Sequence, residues 1–290
     1  MLTSKEALEQ GVLVLLNQTS QETPRLDAQV LLSHVLDVER PALYAHPERA
    51  LTREQEEQFC ALIARRAQGE PVAYLTGHKE FYGLDLLVDR RVLIPRPETE
   101  LLVESALAVI RRLCDAGRIP VVADIGTGSG AIPVALAVHE PRLPFLYASD
   151  ISSAALAVAR LNCQRHHVAS RVRLLQGDLL DPLPEPVDVL IANLPYVGHN
   201  EMALLAADVR AFEPHLALFS GTDGLDLLRR LFVDARRLSL LKPAAMVCLE
   251  IGYQQREPLV DLLHEVWPQA QVTFTRDYSG WDRLLQISIP

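Results

Sequence analysis

The chain has 290 residues, 49% of them hydrophobic, which is enough for a full core and for two domains. Mean hydropathy is slightly positive, yet no apolar run reaches membrane-spanning length. The N-terminus also lacks a basic-then-apolar signal pattern, so a cytoplasmic protein is expected. Net charge is −9, from 28 basic against 37 acidic residues, which argues against a long, sequence-blind nucleic-acid groove, since such a groove needs clustered cations to displace counterions.

Residues 1 to about 76 read as all-helical. Ser4 is placed to cap a helix running to about Gln18, with Leu8, Val12, Leu15 and Leu16 at helical spacing. Pro24 starts a second helix, with Leu26, Val30, Leu31 and Val35 on one side. Thr52 caps a third, with Glu54, Glu56 and Glu57 in its first turns, Arg65 and Arg66 near its end, and Gly69 to stop it. This helical domain, 1–76, carries no chemistry of its own and is expected to dock a partner or substrate.

Residues 77–96 change character. Phe81-Tyr82-Gly83, then Leu84, Leu86 and Val88, then Asp89-Arg90-Arg91, then Val92-Leu93-Ile94 read as a β-hairpin linking two domains. In Ile94-Pro95-Arg96-Pro97-Glu98-Thr99-Glu100 two prolines stiffen the entry to a helix ending near Cys114, and on pattern alone this is a capped helix start.

From Pro120 strand and helix alternate. Strands are expected near 121–125, 145–149, 171–175, 187–192, 245–251, 270–276 and 283–288, and helices near 98–114, 130–139, 152–166, 225–240 and 255–265. The pattern predicts an α/β domain over 97–290, with a doubly wound, mostly parallel, seven-stranded Rossmann-like sheet. The last two strands lack a helix between them, which predicts a hairpin and one antiparallel strand. The longest non-periodic stretch is 194–224, and long loops in such domains are usually functional. Cys60, Cys114, Cys163 and Cys248 are far apart, with no CxxC, and read as buried free thiols with no metal site.

The chemistry concentrates in three places. Val121 to Gly130, VVADIGTGSG, is a strand running into a turn of Gly126, Thr127, Gly128, Ser129 and Gly130 before a helix, the arrangement that brings backbone N–H groups and a helix N-terminus to a ligand. The spacing is GxGxG and no Lys-Ser/Thr follows, which excludes a P-loop. Asp150, ending the second strand of this domain, can accept from both ribose hydroxyls of a nucleoside, or cap the next helix, as Ser152 or Ser153 could. Asp178 and Leu179, after the third strand, are placed to meet the adenine end, though Asp178 also reads as a turn residue. At the end of the fourth strand come Asn193, Leu194, Pro195 and Tyr196. The Asn193 side-chain oxygen and the carbonyl of Leu194 can each accept one N–H of a planar NH2 group, and the Tyr196 ring can stack on its plane.

DIGTGSGAI, Asp150 and NLPY together resemble class I methyltransferases that use S-adenosylmethionine and methylate NH2 nitrogens. With GHKEFYG, VLIPRPETE, NLPYV and FEPHLAL, the chain from about residue 70 resembles more narrowly the release-factor glutamine methyltransferase family (PrmC/HemK); the helical N-terminal region matches by layout. The resemblance implies methylation of the side-chain amide nitrogen of the Gln in the Gly-Gly-Gln motif of class 1 peptide-chain release factors; a monomer is expected, since that partner is itself a large protein. It implies cofactor contacts from Gly126–Gly130, Asp150, Asp178, Leu179 and Asn193, and substrate contacts from Asn193, Leu194, Pro195, Tyr196, Arg96 and Glu213. Asn193 and Tyr196 would be the catalytic pair, with Arg96, Pro97 and Glu100 closing over the site. One residue departs from the family: Leu194 stands where the family has proline, keeping the carbonyl but losing the fixed φ. The alternative is a methyltransferase acting on an exocyclic NH2 of a nucleic-acid base. A DNA enzyme of that kind is expected to carry a basic target-recognition region, which is missing here. A non-catalytic cofactor-binding module is disfavoured by the Asn-x-Pro-Tyr motif, and a nicotinamide-dependent dehydrogenase by the glycine spacing.

Overall fold

The structure, a computed structural model, describes residues 1–17 and 23–290. In chain order its helices and strands are α1 (Ser4–Leu16), α2 (Pro24–Leu36), α3 (Arg40–Ala45), α4 (Arg53–Ala67), α5 (Val72–Thr76), β1 (His78–Phe81), β2 (Leu84–Leu87), α6 (Thr99–Asp115), β3 (Val122–Ile125), α7 (Ala131–His139), β4 (Leu146–Asp150), α8 (Ser153–Arg165), β5 (Val172–Gln176), β6 (Val187–Ala192), α9 (Ala207–Phe212), α10 (Asp226–Arg237), β7 (Leu241–Glu250), α11 (Arg256–Val266), β8 (Gln271–Arg276) and β9 (Asp282–Ser288). Two compact units result, Met1–His78 with Leu205–Phe212, and Lys79–Leu204 with Glu213–Pro290. Among the described residues no helix is long and apolar enough to cross a membrane.

In the first unit Thr3, not Ser4, caps α1. A capping box needs Glu or Gln three residues on, and only Thr3 has one: its hydroxyl accepts from Glu6 N at 3.3 Å while Glu6 Oε2 accepts from Thr3 N at 2.8 Å. Ser4 Oγ instead donates to Arg49 O at 3.0 Å. The helix ends at Leu16, and Gln18 lies outside the described residues. The buried stripe is Ser4, Ala7, Gly11 and Leu15, so Leu16, 100° round the helix from Leu15, is exposed, as is Leu26 on α2. Thr52 caps α4 with Gln55 as its box partner, as expected. Helices α3 and α5 were not anticipated, being 6 and 5 residues long, too short for a periodic signal.

The hairpin opens the second unit one turn earlier than the sequence suggested. Tyr82 (φ 52°) and Gly83 (φ 74°) form its two-residue turn, and left-handed φ at both positions matches the twist of the flanking strands. Val92-Leu93-Ile94 is not a strand. The Asp89 carboxylate accepts from Arg91 N at 3.0 Å and the Asp89 carbonyl from Val92 N at 3.1 Å, closing a turn, while the Ile94 N–H is taken by Glu213 Oε2 at 3.1 Å. The long stretch after β6 is also less irregular than expected, for it holds short 3-10 turns and α9.

The seven-stranded sheet has the order β5-β4-β3-β6-β7-β9-β8, with only β9 antiparallel to its neighbours. Its strands fall where the sequence placed them. Alternate residues serve two cores: Val122, Val189 and Ile191 pack on one face with α6 and α7, whereas Ala123, Ile125, Leu190 and Ala192 pack on the other with α10 and α11. Burial on both faces explains the near-continuous apolar run of β6. The chain runs β3, β4, β5 outward and returns to β6 beside β3, so strand order reverses between β3 and β6, where open α/β sheets place their ligands. All four cysteines are free, Cys163 and Cys248 buried, Cys114 half-buried and Cys60, contrary to expectation, exposed.

One buried side chain ties the hairpin to the glycine turn. Asn162 on α8 accepts from Leu87 N at 2.7 Å and donates to Leu87 O at 2.9 Å and Ser129 O at 2.8 Å. Asn162→Ala strands these three backbone groups, and we expect a loss of about 3 kcal/mol of stability, read as a lower urea midpoint.

Candidate active site

Strand ends near the switch point are level. Ile125 pairs with Ala192 and with Ser149, and Ala192 with Leu249. The residues that follow, Gly126, Asp150, Asn193 and Glu250, therefore emerge together. Gly126, Asp150 and Asn193 line a cavity of about 310 Å³ together with Thr127, Gly128, Ser129, Asp178, Leu179, Leu194, Pro195 and Arg96, along with Thr99, Pro214, Leu216, Ala217 and Arg230, while Glu250 stands behind it.

The glycine turn is pinned to the next strand. Gly126 N and Thr127 N both donate to Ser149 O at 2.9 Å, and Gly128 N donates to Asp150 Oδ2 at 2.8 Å. Asp150 Oδ1 accepts from Ser152 N at 2.9 Å, while Ser152 caps α8 through Ala155 N. Asp150 is thus a held acceptor at the cavity wall and not the helix cap, and burial pushes its carboxyl upward. Gly130 does not line the cavity. A Cβ there would meet Ala159 Cβ at 3.0 Å, so its place is the close packing of α7 on α8.

Leu194, where the family has proline, is fixed by packing. Its side chain is buried, and its Cδ2 lies 2.9 Å from where a Cβ on Gly126 would sit. Tyr196 does not face the cavity: its hydroxyl donates to Glu250 Oε1 at 3.3 Å and its carbonyl accepts from Gln255 Nε2 at 3.0 Å. Glu213 is buried and also stands back from the cavity, pairing with the Arg96 guanidinium, whose Nη1 donates to Ile94 O at 2.7 Å. Glu100, expected to close over the site, instead accepts from Tyr82 N at 3.0 Å. Asp178 sits at the rim, ion-paired to Arg230. Glu98 at the start of α6 makes no side-chain cap, and the hydroxyl of Thr99, the first helical residue, lies 2.6 Å from Glu250 Oε2 and 3.1 Å from Asn193 Nδ2.

Sequence reasoning missed Arg230, Thr99, Glu250 and above all Asp124. Asp124 is fully buried at the end of β3, and neither carboxylate oxygen has a partner among the described residues; nor has Thr127 Oγ1. Burial pushes the Asp124 carboxyl up to about 7; the Thr127 hydroxyl acts against this and the Asp150 charge acts with it. Its signal was the acidic residue two before the first glycine.

Models of two families match the chain: the PrmC N-terminal domain over residues 6–77 and the methyltransferase small domain over residues 101–212. A release factor glutamine methyltransferase of Moorella thermoacetica is 46% identical over 263 residues, covering 90% of each chain. The protein of the same name from Koribacter versatilis is 39% identical over 274 residues, covering 93% of this chain and 94% of its own. The chain belongs to the release factor glutamine methyltransferase family. Among solved structures, the N-terminal domain of human METTL16 in complex with SAH superposes with a TM-score of 0.55 at 15% identity, covering 89% of this chain and 94% of that one. Human methyltransferase 10 domain containing protein gives 0.52 at 16% identity, covering 72% and 91%. Both likenesses concern the fold alone.

Asp124 does not line the cavity, and its effect is on stability. The folded chain holds a proton that the unfolded chain has lost, so this carboxyl lowers stability as pH rises from 3.8 toward about 7.

Proposed function

We propose that this chain transfers a methyl group from S-adenosylmethionine to the side-chain amide nitrogen of the Gln in the Gly-Gly-Gln motif of class 1 peptide-chain release factors. The observation that carries the reading is the placement of Asn193 and Leu194 at the carboxyl end of β6, on the same cavity as the glycine turn and Asp150. The relatives' shared name supports the choice of substrate.

The residues present suit the cofactor. The turn Gly126–Ser129 and Asp150 would hold its nucleoside, with Asp178 and Leu179 toward the adenine. Bound there, S-adenosylmethionine supplies a methyl group already activated on a sulfonium. The protein's task is alignment. An amide nitrogen is a poor nucleophile because its lone pair is delocalised into the carbonyl. Asn193 Oδ1 and the Leu194 carbonyl each accept one N–H and so turn that lone pair toward the methyl. Such positioning supplies up to roughly 7–11 kcal/mol in favourable cases. Pro195 stiffens the strand end, Tyr196 braces it from behind, and Arg96, held by Glu213, flanks the cavity on the substrate side. The proton leaves the nitrogen during or after attack, and no side chain of the motif is assigned as its base.

The helical domain 1–76 is proposed to dock the release factor, with 77–96 as its link to the transferase domain 97–290. The match of its helices to the PrmC N-terminal domain supports this. We place the enzyme in the cytoplasm, where its substrate works, acting as a monomer on a large protein partner.

With labelled S-adenosylmethionine and a mixture of release factor and nucleic acid, label is expected in the Gln-containing tryptic peptide. Label confined to nucleic acid overturns the reading. Asn193→Ala is expected to lower turnover at least about a hundredfold and to leave cofactor affinity within a few-fold.

A further inference from the structure

Two buried polar side chains behind Asn193 have no role in the chemistry described so far. Glu250, the last residue of β7, and Thr99, the first of α6, are 2% and 4% exposed. Thr99 Oγ1 lies between them and the site, 2.6 Å from Glu250 Oε2 and 3.1 Å from the Asn193 amide. Glu250 Oε1 accepts from the Tyr196 hydroxyl at 3.3 Å.

A hydroxyl has one hydrogen to give, and an ionised carboxylate can only accept. With Glu250 ionised, Thr99 gives its hydrogen to Glu250 Oε2. What it turns toward Asn193 is a lone pair, so the end of the Asn193 carboxamide facing Thr99 has to be the NH2. The other end, Oδ1, takes no hydrogen bond from the described residues and belongs to a side chain that lines the cavity. We propose that Thr99 and Glu250 are positioning residues that hold the Asn193 carboxamide with its oxygen toward the substrate. The inference rests on the function proposed above, because only a substrate offering an N–H needs an acceptor at that point. Turned round, Asn193 would set its own NH2 against the substrate's.

The direction of the relay depends on one proton. A neutral Glu250 can donate to Thr99 Oγ1, and Thr99 can then give its own hydrogen to Asn193 and reverse the amide. The charged and titratable groups around Glu250 are Tyr196 at the strand end, Arg283 on β9 and Glu98 just before α6. Burial raises the Glu250 carboxyl and Glu98 adds to this, whereas Thr99, Arg283 and Tyr196 favour the ionised form.

The test compares Thr99→Val, which keeps the shape and loses the hydroxyl, with Thr99→Ser, which keeps the hydroxyl. Turnover is measured at saturating S-adenosylmethionine and release factor, and affinity for S-adenosylhomocysteine by calorimetry. Thr99→Val is expected to lower kcat at least about tenfold with cofactor affinity within about twofold, and Thr99→Ser to restore most of the loss. Glu250→Gln is the second variant. A carboxamide offers Thr99 a donor as readily as an acceptor, so kcat should fall without a change in cofactor affinity. For the wild type kcat is expected to drop as pH is lowered and Glu250 takes up its proton, and this drop should be absent from the variant. Equal activity of Thr99→Val and wild type, or equal damage from Val and Ser, overturns the proposal. So does an acid limb that survives in Glu250→Gln. A wild-type enzyme that leaves release-factor Gln unmethylated instead overturns the function on which the inference rests.

Discussion

The site depends on the level register of β3 and β6. Ile125 stands opposite Ala192 at the point where strand order reverses, and everything chemical lies one residue beyond. A one-residue slip would send each side chain of β6 to the other face. It would also break the division of Leu190 and Ile191 between two cores. The buried alternation of β6 thus fixes where Asn193 emerges. The glycine turn is fixed in the same way from the other side, by the bonds of Gly126 and Thr127 to Ser149. The proximity of turn and carboxamide follows from sheet packing, before any ligand is bound.

Behind this line of strand ends the loops are held by closely fitted groups. Leu194 packs against Gly126, and a Cβ on Gly224 would come within 2.0 Å of the Tyr196 carbonyl. Gln255 donates to that carbonyl and to Gly224 O, and accepts from Gly252 N. With these contacts the Asn-Leu-Pro-Tyr segment needs no second proline ring for rigidity, because a buried leucine and a bridging glutamine restrain the same backbone.

Much of the second unit was legible in the sequence because its elements are long and regular. The apolar strands, the helices between them and the glycine turn all signal their own type locally. The hairpin was misplaced because Leu84–Val88 and Val92–Ile94 share the same β-branched and aliphatic character. The decision between them came from φ at Tyr82–Gly83 and from the side chain of Glu213, which is far away in sequence. Ser4 and Thr3 are both good caps, and only the partner three residues on separates them. In the site, Gly126 and Asn193 were readable as motifs. Glu250 and Thr99 were not, since a glutamate ending an apolar strand and a threonine opening a helix carry no motif; only the sheet brings them to the same amide.

Three carboxylates near the strand ends, Asp124 and Glu250 buried and Asp150 half-buried, differ in what surrounds them. Asp150 accepts from two backbone N–H groups, which hold it in place and keep lone pairs free for hydroxyl groups. Asp124 is fully buried, and desolvation lifts its carboxyl to about 7 while the Thr127 hydroxyl acts the other way, so it holds a proton below that pH. Glu250 accepts from two hydroxyls and so sets the direction of the bonds that pass through them. Burying a carboxylate is costly, and an apolar residue in its place would often be as stable or more so. An apolar residue at 250 would, however, leave Thr99 free to donate to Asn193, and both ends of the carboxamide would become acceptable to their surroundings. The buried charge is therefore best understood as a device for choosing between two nearly isosteric orientations of a neutral amide, a choice that packing alone cannot make.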